Sequence, residues 1–293
     1  MLEFGRVLTA MVTPFDQEGQ VDLTQAGILA QRLVESGSDG LVVAGTTGES
    51  PTLTHREKLD LFRVVVEVVG GRAAVIAGTG SYSTAESLEL TREAEKSGVD
   101  GILLVAPYYN KPPQEGLYQH FRAIARATRL PVMLYNIPGR TGVNIAPETL
   151  GRLAEIENII AVKESSGNLS QTTEYREKTP RDFAIYSGDD LMTLPMMSVG
   201  AVGVVSVAAH LVGRRIKEMV EAEAAGKTEY AAKINQELAP LFRALFVTTN
   251  PIMIKAAVNM LGLRVGGLRL PLVEANAKEL ELLRGCMRQL GLL

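Results

Sequence analysis

The chain has 293 residues, with 30 basic and 33 acidic side chains and 46% hydrophobic residues. This composition excludes a disordered chain, and the near-neutral charge argues against nucleic acid or an anionic membrane surface as the main partner. The single cysteine, Cys286, cannot form an intrachain disulfide, and no apolar segment reaches about 18 residues, the length of a membrane span. We therefore expect a cytoplasmic protein of enzyme size. No signal peptide is expected, because no long apolar run follows basic residues near the start.

Short, continuously apolar runs rich in β-branched residues alternate with amphipathic stretches of helical length up to residue 207. Such runs are typical of parallel strands that are covered on both faces. The predicted strands are 7–12, 41–44, 73–77, 102–106, 132–135, 159–162, 183–186 and 202–207, and the clearest helices between them are 22–35, 55–69, 83–97 and 114–128. Strands and helices in this order predict an α/β fold, a (β/α)8 TIM barrel, rather than a doubly wound sheet.

A glycine-containing turn recurs before two of the predicted strands. Residues 36–43 read Ser-Gly-Ser-Asp-Gly-Leu-Val-Val, residues 97–104 read Ser-Gly-Val-Asp-Gly-Ile-Leu-Leu, and 199–205 is a looser copy. Each copy predicts one glycine with positive φ at a helix end and another directly before a buried strand. Because any α/β protein can reuse such a turn, the repeat favours a barrel only modestly.

The chain becomes entirely helical in pattern after Ala209. The helices predicted here are 211–225, 229–246, 252–261 and 273–290, and Gly226 and Asn250-Pro251 separate them. The last three of these helices are additional to the eight strand–helix pairs of a barrel. We therefore expect a barrel domain that carries the active site over residues 1–225, and a helical region over 226–293 that packs on it.

One lysine, Lys163, directly follows the apolar run 159–162. Catalytic groups of TIM barrels gather at the carboxyl ends of the strands, and a buried lysine needs either a carboxylate partner or a neutral amine. Two interpretations stay open: Lys163 pairs with Glu164 or snorkels to the surface, or it is a desolvated amine that attacks a ketone and forms an imine. Tyr135, at the end of the preceding strand, is either its acid–base partner or a packed aromatic residue.

The segment Gly45-Thr46-Thr47-Gly48 supplies hydroxyls and backbone N–H groups for a carboxylate or phosphate, although it can also be a plain turn. Nucleotide and zinc sites are not expected. Gly78-Thr79-Gly80 is followed by Ser83 instead of the glycine of a dinucleotide fingerprint, and the chain's histidines are isolated. Asp189-Asp190 can bind a cation or simply form a turn.

Two segments resemble the signatures of the dihydrodipicolinate synthases, also called 4-hydroxy-tetrahydrodipicolinate synthases. They are Gly45-Thr46-Thr47-Gly48-Glu49-Ser50 and residues 135–142, Tyr-Asn-Ile-Pro-Gly-Arg-Thr-Gly. The first segment, the Tyr135-Asn136 pair and the lysine are shared by the superfamily of pyruvate-dependent class I aldolases and lyases. Within it, the resemblance points to the synthases through Arg140, because they carry Gly-Arg-Thr after the Tyr-Asn-x-Pro stretch and their arginine meets the carboxylate of the second substrate. The chemistry agrees, since a guanidinium recognises a carboxylate whereas a sugar polyol calls for neutral groups.

The resemblance implies a lyase that condenses pyruvate with L-aspartate 4-semialdehyde through a Schiff base. The product is 4-hydroxy-tetrahydrodipicolinate, in the first committed step of diaminopimelate and lysine biosynthesis. No metal or organic cofactor is implied, and the expected state is a homodimer or homotetramer. The implied roles are Lys163 as Schiff-base lysine, Tyr135 as proton donor and acceptor, Thr46 and Tyr109 as proton relay, and Thr47, Val205, Arg140 and Gly188 as substrate-binding residues. In the family, the tyrosine that matches Tyr109 enters the neighbouring active site across the dimer interface.

Two alternatives remain at this stage. The first is another pyruvate-type Schiff-base lyase, such as a sialic-acid lyase or a 2-keto-3-deoxy sugar-acid aldolase, which differs in the second substrate. The second is a non-catalytic barrel that binds a small keto acid as a sensor. Assays with different aldehydes distinguish a synthase from the first alternative. Borohydride trapping with pyruvate distinguishes a Schiff-base enzyme from the second.

The resemblance also implies a regulatory cleft for L-lysine at the dimer interface. Its residues are Ser50, Pro51, His55, Lys58, Tyr82, Glu86 and Tyr108. Here Lys58 replaces a frequent histidine, and an added ammonium near a ligand with two ammonium groups costs on the order of 1 kcal/mol. Tyr82 replaces an asparagine that hydrogen-bonds the ligand. Both departures predict weak or absent inhibition by lysine.

Overall fold

The computed structural model describes residues 3–293. Eight parallel strands close into a barrel in which each pairs with its neighbours in chain order and β8 pairs back with β1. The strands are β1 (Val7–Ala10), β2 (Gly40–Val43), β3 (Ala74–Gly78), β4 (Gly101–Val105), β5 (Val132–Asn136), β6 (Ile159–Glu164), β7 (Ala184–Ser187) and β8 (Gly203–Ser206). The predicted (β/α)8 barrel is confirmed.

Helices follow every strand. They are α1 (Leu23–Glu35), α2 (His55–Val69), α3 (Thr84–Lys96), α4 (Gln114–Ala125), α5 (Pro138–Thr141), α6 (Pro147–Ala154), α7 (Leu169–Lys178), α8 (Thr193–Ser198), α9 (Ala209–Ala224), α10 (Thr228–Ala244), α11 (Ile252–Met260) and α12 (Ala277–Gln289). A 3₁₀ turn, Ser50–Thr52, precedes α2. Of the helices within residues 3–293, none has the length and apolar character needed to cross a membrane.

The end of β6 differs from the prediction. The apolar run stops at residue 162, but the strand continues through Lys163 and Glu164, which stay in register with Tyr186 and Ser187 of β7. The apolar pattern underestimates the strand because its hydrogen bonds are made by the backbone and do not depend on side-chain charge. Lys163 is therefore held by the sheet rather than by a loop.

The last helix also begins later than predicted. Helix α12 starts at Ala277 instead of residue 273, because Asn276 forms a capping box with Glu279. The Asn276 side chain accepts from the Glu279 N–H at 3.0 Å, and the Glu279 carboxylate accepts from the Asn276 N–H at 2.8 Å. These two bonds satisfy backbone donors that a helix start leaves unpaired, so they fix the boundary.

The recurring glycine turn has the predicted geometry. Gly37, Gly98 and Gly200 have φ values of +105°, +81° and +107°, in the region that favours glycine. The second glycine of the turn permits close packing at the start of a strand: a Cβ on Gly101 would lie 2.5 Å from the Phe4 ring. Phe4 is buried and fills the amino-terminal end of the barrel.

The barrel interior is a separate core from the layer between strands and helices. Alternate residues of each strand point inward, and the interior cluster includes Ala161, Tyr135, Tyr186 and Val205. Lys163 lies two residues after Ala161 on β6, so it shares the inward face.

The three helices beyond α9 pack against the outer helices. Helix α10 contacts α8 and α9, α11 contacts α9, and α12 contacts α10 and α11. Two side chains from this region also reach the β2–α2 segment: Lys255 bonds Glu49, and Arg269 bonds Glu57. The division into domains at residue 225 stays a prediction.

Candidate active site

Lys163 lies inside the barrel near the carboxyl end of β6 and is 5% exposed. In the strand ladder it is level with Tyr135 on one side and Tyr186 on the other. Its Nζ lies 4.2 Å from the centroid of the Tyr135 ring. The structure therefore brings together the lysine and the tyrosine that the sequence predicts as partners.

Glu164 does not neutralise this lysine. As the next residue on the strand it faces the opposite side of the sheet. Its carboxylate accepts hydrogen bonds from Asn136 Nδ2 at 2.8 Å and from the Ser166 N–H at 2.6 Å. Among the ion pairs formed within residues 3–293, none includes Lys163. The interpretation of Lys163 as a Glu164 partner or a surface lysine is therefore wrong.

Gly188 leaves the space that the Lys163 side chain occupies. A Cβ at position 188 would lie 2.9 Å from Lys163 Cε and 1.8 Å from Ser165 Oγ. The backbone N–H of Gly188 donates to the Glu164 carbonyl at 2.8 Å, which fixes the glycine against β6. Any larger residue at 188 would therefore displace the lysine or the serine.

Thr46 and Thr47 lie on the loop that follows β2. Thr47 is buried, and its Oγ1 accepts a hydrogen bond from Asn250 Nδ2 at 2.9 Å. The next residue, Gly48, is held by the β1–α1 loop residue Thr13, whose Oγ1 donates to the Gly48 carbonyl at 2.7 Å. The loop conformation is thus set by contacts with distant parts of the chain.

The same loop ends at a buried ion pair. Lys255 Nζ lies 2.9 Å from Glu49 Oε1, and the Arg269 N–H donates to Glu49 Oε2 at 3.0 Å. Lys255 Nζ also lies 4.1 Å from the centroid of the Phe15 ring. Burial lowers the pKa of Lys255, and the Glu49 carboxylate opposes that shift. Both oxygens of Glu49 are therefore satisfied, as a buried carboxylate requires.

A cavity of about 210 Å³ opens at the carboxyl ends of the strands. Thr46, Tyr135 and Arg140, three of the predicted site residues, line it. Thr47, Gly188, Val205 and Lys163 are not part of its lining, although Lys163 contacts Tyr135. Val205 is buried in the interior of the barrel.

Arg140 reaches the cavity from the short helix α5. Its Nη2 donates to the Asn250 carbonyl at 2.9 Å. A guanidinium has five N–H donors, so this bond fixes the side chain and leaves donors for a carboxylate. The cavity is thus lined by a phenol, hydroxyls and a guanidinium, and the Lys163 amine lies next to the Tyr135 ring that lines it. This set of groups suits a substrate that carries a ketone and carboxylates.

Residues 3–290 match the sequence model of the dihydrodipicolinate synthetase family. The chain belongs to this family. The 4-hydroxy-tetrahydrodipicolinate synthase of Desulforamulus reducens is 61% identical over 293 residues, which cover 100% of this chain and 99% of that protein. That of Desulforudis audaxviator is 62% identical over 292 residues, with 100% and 99% covered.

Solved structures of this family have the same fold. A dihydrodipicolinate synthase from Cyanidioschyzon merolae, described with lysine bound, has a TM-score of 0.99 at 53% identity, and 100% of both chains is covered. A dihydrodipicolinate synthase from Bacillus anthracis has a TM-score of 0.95 at 51% identity, with 98% of this chain and 99% of that chain covered.

Tyr109 does not join the other site residues of its own chain. It is 94% exposed, it has a φ of 70°, and it does not line the cavity, whereas its neighbour Tyr108 does. A non-glycine residue in this left-handed region is uncommon, so the backbone at Tyr109 is strained as well as exposed.

The predicted regulatory cleft begins at the same cavity, which Ser50, Pro51 and Tyr108 line. Tyr82 packs edge-on against Tyr108, with 5.3 Å between ring centroids. His55 Nε2 lies 2.7 Å from Glu93 Oε2. Burial lowers the pKa of the half-buried Lys58, and the negative charge of Glu86 opposes that shift.

Sequence reasoning missed three residues that support the site: Asn250, Lys255 and Arg269. Asn250 was noted only as part of a helix break. A signal for Lys255 does exist, since it is the single charged residue within the apolar helix α11. A cation in such a helix is expected to need a buried partner of opposite charge. No pattern in the sequence indicates which residues Asn250 and Arg269 contact.

We expect Lys255→Met to reduce the free energy of unfolding by about 3–5 kcal/mol, because it leaves Glu49 buried without its countercharge. The double variant Lys255→Met/Glu49→Gln should recover part of this loss, since no uncompensated charge remains. Urea unfolding of the three proteins measures both effects.

Lys217→Met is the matched control. Lys217 forms a 2.7 Å pair with Asp39 that is partly open to solvent, so its loss should cost about 1 kcal/mol or less. If Lys255→Met were no more costly than this control, or if the double variant were no better than the single one, the ion pair would not support the loop.

Proposed function

We propose that this protein condenses pyruvate with L-aspartate 4-semialdehyde to give 4-hydroxy-tetrahydrodipicolinate, the first committed step of diaminopimelate and lysine biosynthesis. The observation that carries the proposal is Lys163, an amine buried in the barrel against the Tyr135 ring, without an ion-pair partner in residues 3–293. A buried, unpaired amine is suited to nucleophilic attack on a ketone. The names of the curated relatives support the same reaction.

The reaction begins when Lys163 Nζ attacks the ketone carbon of pyruvate, and loss of water gives an imine. The cationic imine withdraws electrons, so a methyl proton leaves and an enamine forms. The enamine carbon attacks the aldehyde carbon of the second substrate. The amino group of that substrate then attacks the imine carbon, which closes the ring and releases Lys163.

Proton transfer in these steps is assigned to Tyr135, with Thr46 and Tyr109 as the relay. Tyr135 is supported by its contact with Lys163, and Thr46 by its place in the same cavity. Because Tyr109 is exposed on its own chain, its role requires that it enter the cavity of a second copy. Self-association as a homodimer or homotetramer is therefore part of the proposal.

Carboxylate binding is divided between two residues. Thr47, assisted by the backbone near Val205, holds the carboxylate of pyruvate, and Arg140 holds that of the second substrate. Gly188 is assigned to the wall of the substrate pocket. The cytoplasm is the proposed location, which fits a chain with one cysteine.

The Schiff base is tested by borohydride reduction in the presence of pyruvate, followed by peptide mass spectrometry. We expect one pyruvate-derived adduct per chain, on Lys163, and loss of nearly all activity in Lys163→Met. Lys58 and Lys255 are the other lysines most suited to form an adduct, since burial lowers the pKa of both. Lys58→Met should keep the adduct, and an adduct on any residue other than Lys163 would refute the assignment.

We expect Arg140→Ala to impair the use of L-aspartate 4-semialdehyde while pyruvate trapping on Lys163 stays intact. A loss of about 2–5 kcal/mol in transition-state stabilisation is expected from a broken charge-assisted pair. Steady-state kinetics with each substrate varied measures it, with the exposed Arg56→Ala as control. Normal kinetics toward the aldehyde would remove Arg140 from the site and reopen the choice of second substrate.

We expect L-lysine to bind weakly or not at all. The Glu86 carboxylate, to which the resemblance assigns an ammonium of the ligand, already accepts from Ser81 Oγ at 3.2 Å and interacts with the charge of Lys58. The Tyr82 ring fills space beside Tyr108. Both contacts compete with the ligand.

Calorimetric titration of lysine into the purified protein tests this prediction. The Cyanidioschyzon merolae synthase, which is described with lysine bound, is the positive control. The double variant Lys58→His/Tyr82→Asn should bind lysine more tightly than the parent chain. Binding to the parent chain in the micromolar to low-millimolar range with loss of activity would show that Lys58 and Tyr82 do not block the cleft.

A further inference from the structure

Asn250 lies between the two residues that are assigned to the substrate carboxylates. Its side-chain Nδ2 donates to Thr47 Oγ1 at 2.9 Å, and its backbone carbonyl accepts from Arg140 Nη2 at 2.9 Å. It is 6% exposed and belongs to the segment between α10 and α11, outside the strands of the barrel. One residue from the carboxyl-terminal part of the chain thus contacts both halves of the proposed substrate site.

The bond to Thr47 has a consequence for the direction of the hydroxyl hydrogen. A threonine hydroxyl has one hydrogen to donate and lone pairs to accept with. When Asn250 donates to it, the hydroxyl acts as acceptor in that bond and keeps its own hydrogen for another partner. Within residues 3–293, no hydrogen bond donated by Thr47 Oγ1 is formed. The hydroxyl hydrogen is therefore not used by any acceptor of the described chain.

The bond to Thr47 is also the only hydrogen bond that the Asn250 side chain makes in the described part of the chain. Its buried Oδ1 has no hydrogen-bond partner. A buried amide that served packing alone would be expected to satisfy both of its polar atoms. The hydrogen bond from the side-chain N–H to Thr47 is therefore the interaction that explains why an amide is buried here.

We propose that Asn250 is a positioning residue that makes Thr47 a hydrogen-bond donor to the carboxylate of pyruvate, while its backbone carbonyl holds Arg140 for the second carboxylate. This inference rests on the proposed function. Its two contacts are chemically separable, because substitution of the side chain removes the first and leaves the second. The loop itself stays anchored by the Lys255–Glu49 pair and by the bond from Thr13 to Gly48.

The experiment compares Asn250→Ala and Asn250→Asp with the parent protein. Asn250→Ala should raise the half-saturating pyruvate concentration about 3- to 10-fold, the effect of one lost hydrogen bond. Asn250→Asp should raise it more, because a carboxylate accepts the Thr47 hydrogen and repels the anion. The half-saturating concentration of the aldehyde should change less than about 2-fold, since the backbone contact with Arg140 is kept.

A double-variant cycle with Thr47→Val separates positioning from a structural role. If Asn250 acts through Thr47, Asn250→Ala should have no further effect on pyruvate saturation in the Thr47→Val background. Equal changes for both substrates, additive effects in the cycle, or an Asn250→Asp variant that binds pyruvate as well as the parent would each overturn the proposal. Should Asn250→Asp not fold, the alanine variant and its cycle decide.

Borohydride trapping distinguishes a failure of the Asn250 proposal from a failure of the proposed function. At saturating pyruvate the Asn250 variants should still give the adduct on Lys163, with only the concentration dependence shifted. Absence of any adduct in the parent protein would refute the Schiff-base chemistry itself, whereas an unshifted concentration dependence in the variants would refute only the role of Asn250.

Discussion

The Lys255–Glu49 ion pair is the interaction on which the cavity depends. The loop between β2 and α2 has few apolar side chains, so packing alone does not hold it. Glu49, which directly precedes the 3₁₀ turn in this loop, is in the left-handed region with a φ of 56°. Both of its carboxylate oxygens are bonded by groups from the carboxyl-terminal part of the chain. An ion pair withdrawn from water is costly unless its geometry is complete, so it tolerates little displacement. The pair therefore anchors the loop to the carboxyl-terminal part of the chain.

Strand alternation creates the second essential feature, the separation of Lys163 from Glu164. Neighbours on a strand point to opposite faces, so the barrel wall stands between an amine and a carboxylate that are adjacent in sequence. On the outer side, Glu164 is satisfied by Asn136 and Ser166. On the inner side, Lys163 has an aromatic face and the space left by Gly188. The sheet therefore keeps the amine free of the nearest negative charge.

The sequence predicts those parts of the structure that depend on local pattern. The barrel follows from the alternation of apolar runs and helical stretches, and Lys163 was found because it ends such a run. The true end of β6 was missed, because strand pairing continued beyond the apolar residues. The contacts that Asn250 and Lys255 make with the β2–α2 loop could not be predicted from the sequence for a different reason. Their partners, Thr47 and Glu49, lie 203 and 206 positions away, and no periodicity encodes such contacts.

Phe4 and Tyr186 determine how molecules can move through the barrel. Phe4 fills the amino-terminal end, and the Tyr186 hydroxyl donates to the Gly5 carbonyl at 2.7 Å, so its ring occupies the interior toward that end. Within residues 3–293, the way to Lys163 is therefore from the side of the cavity alone. In the proposed reaction, the molecule that reacts with the amine would occupy the deepest position, and a second molecule would cover it. Entry and exit would then use the same opening, so the molecule that binds at Lys163 would have to enter first, whatever the affinities of the two.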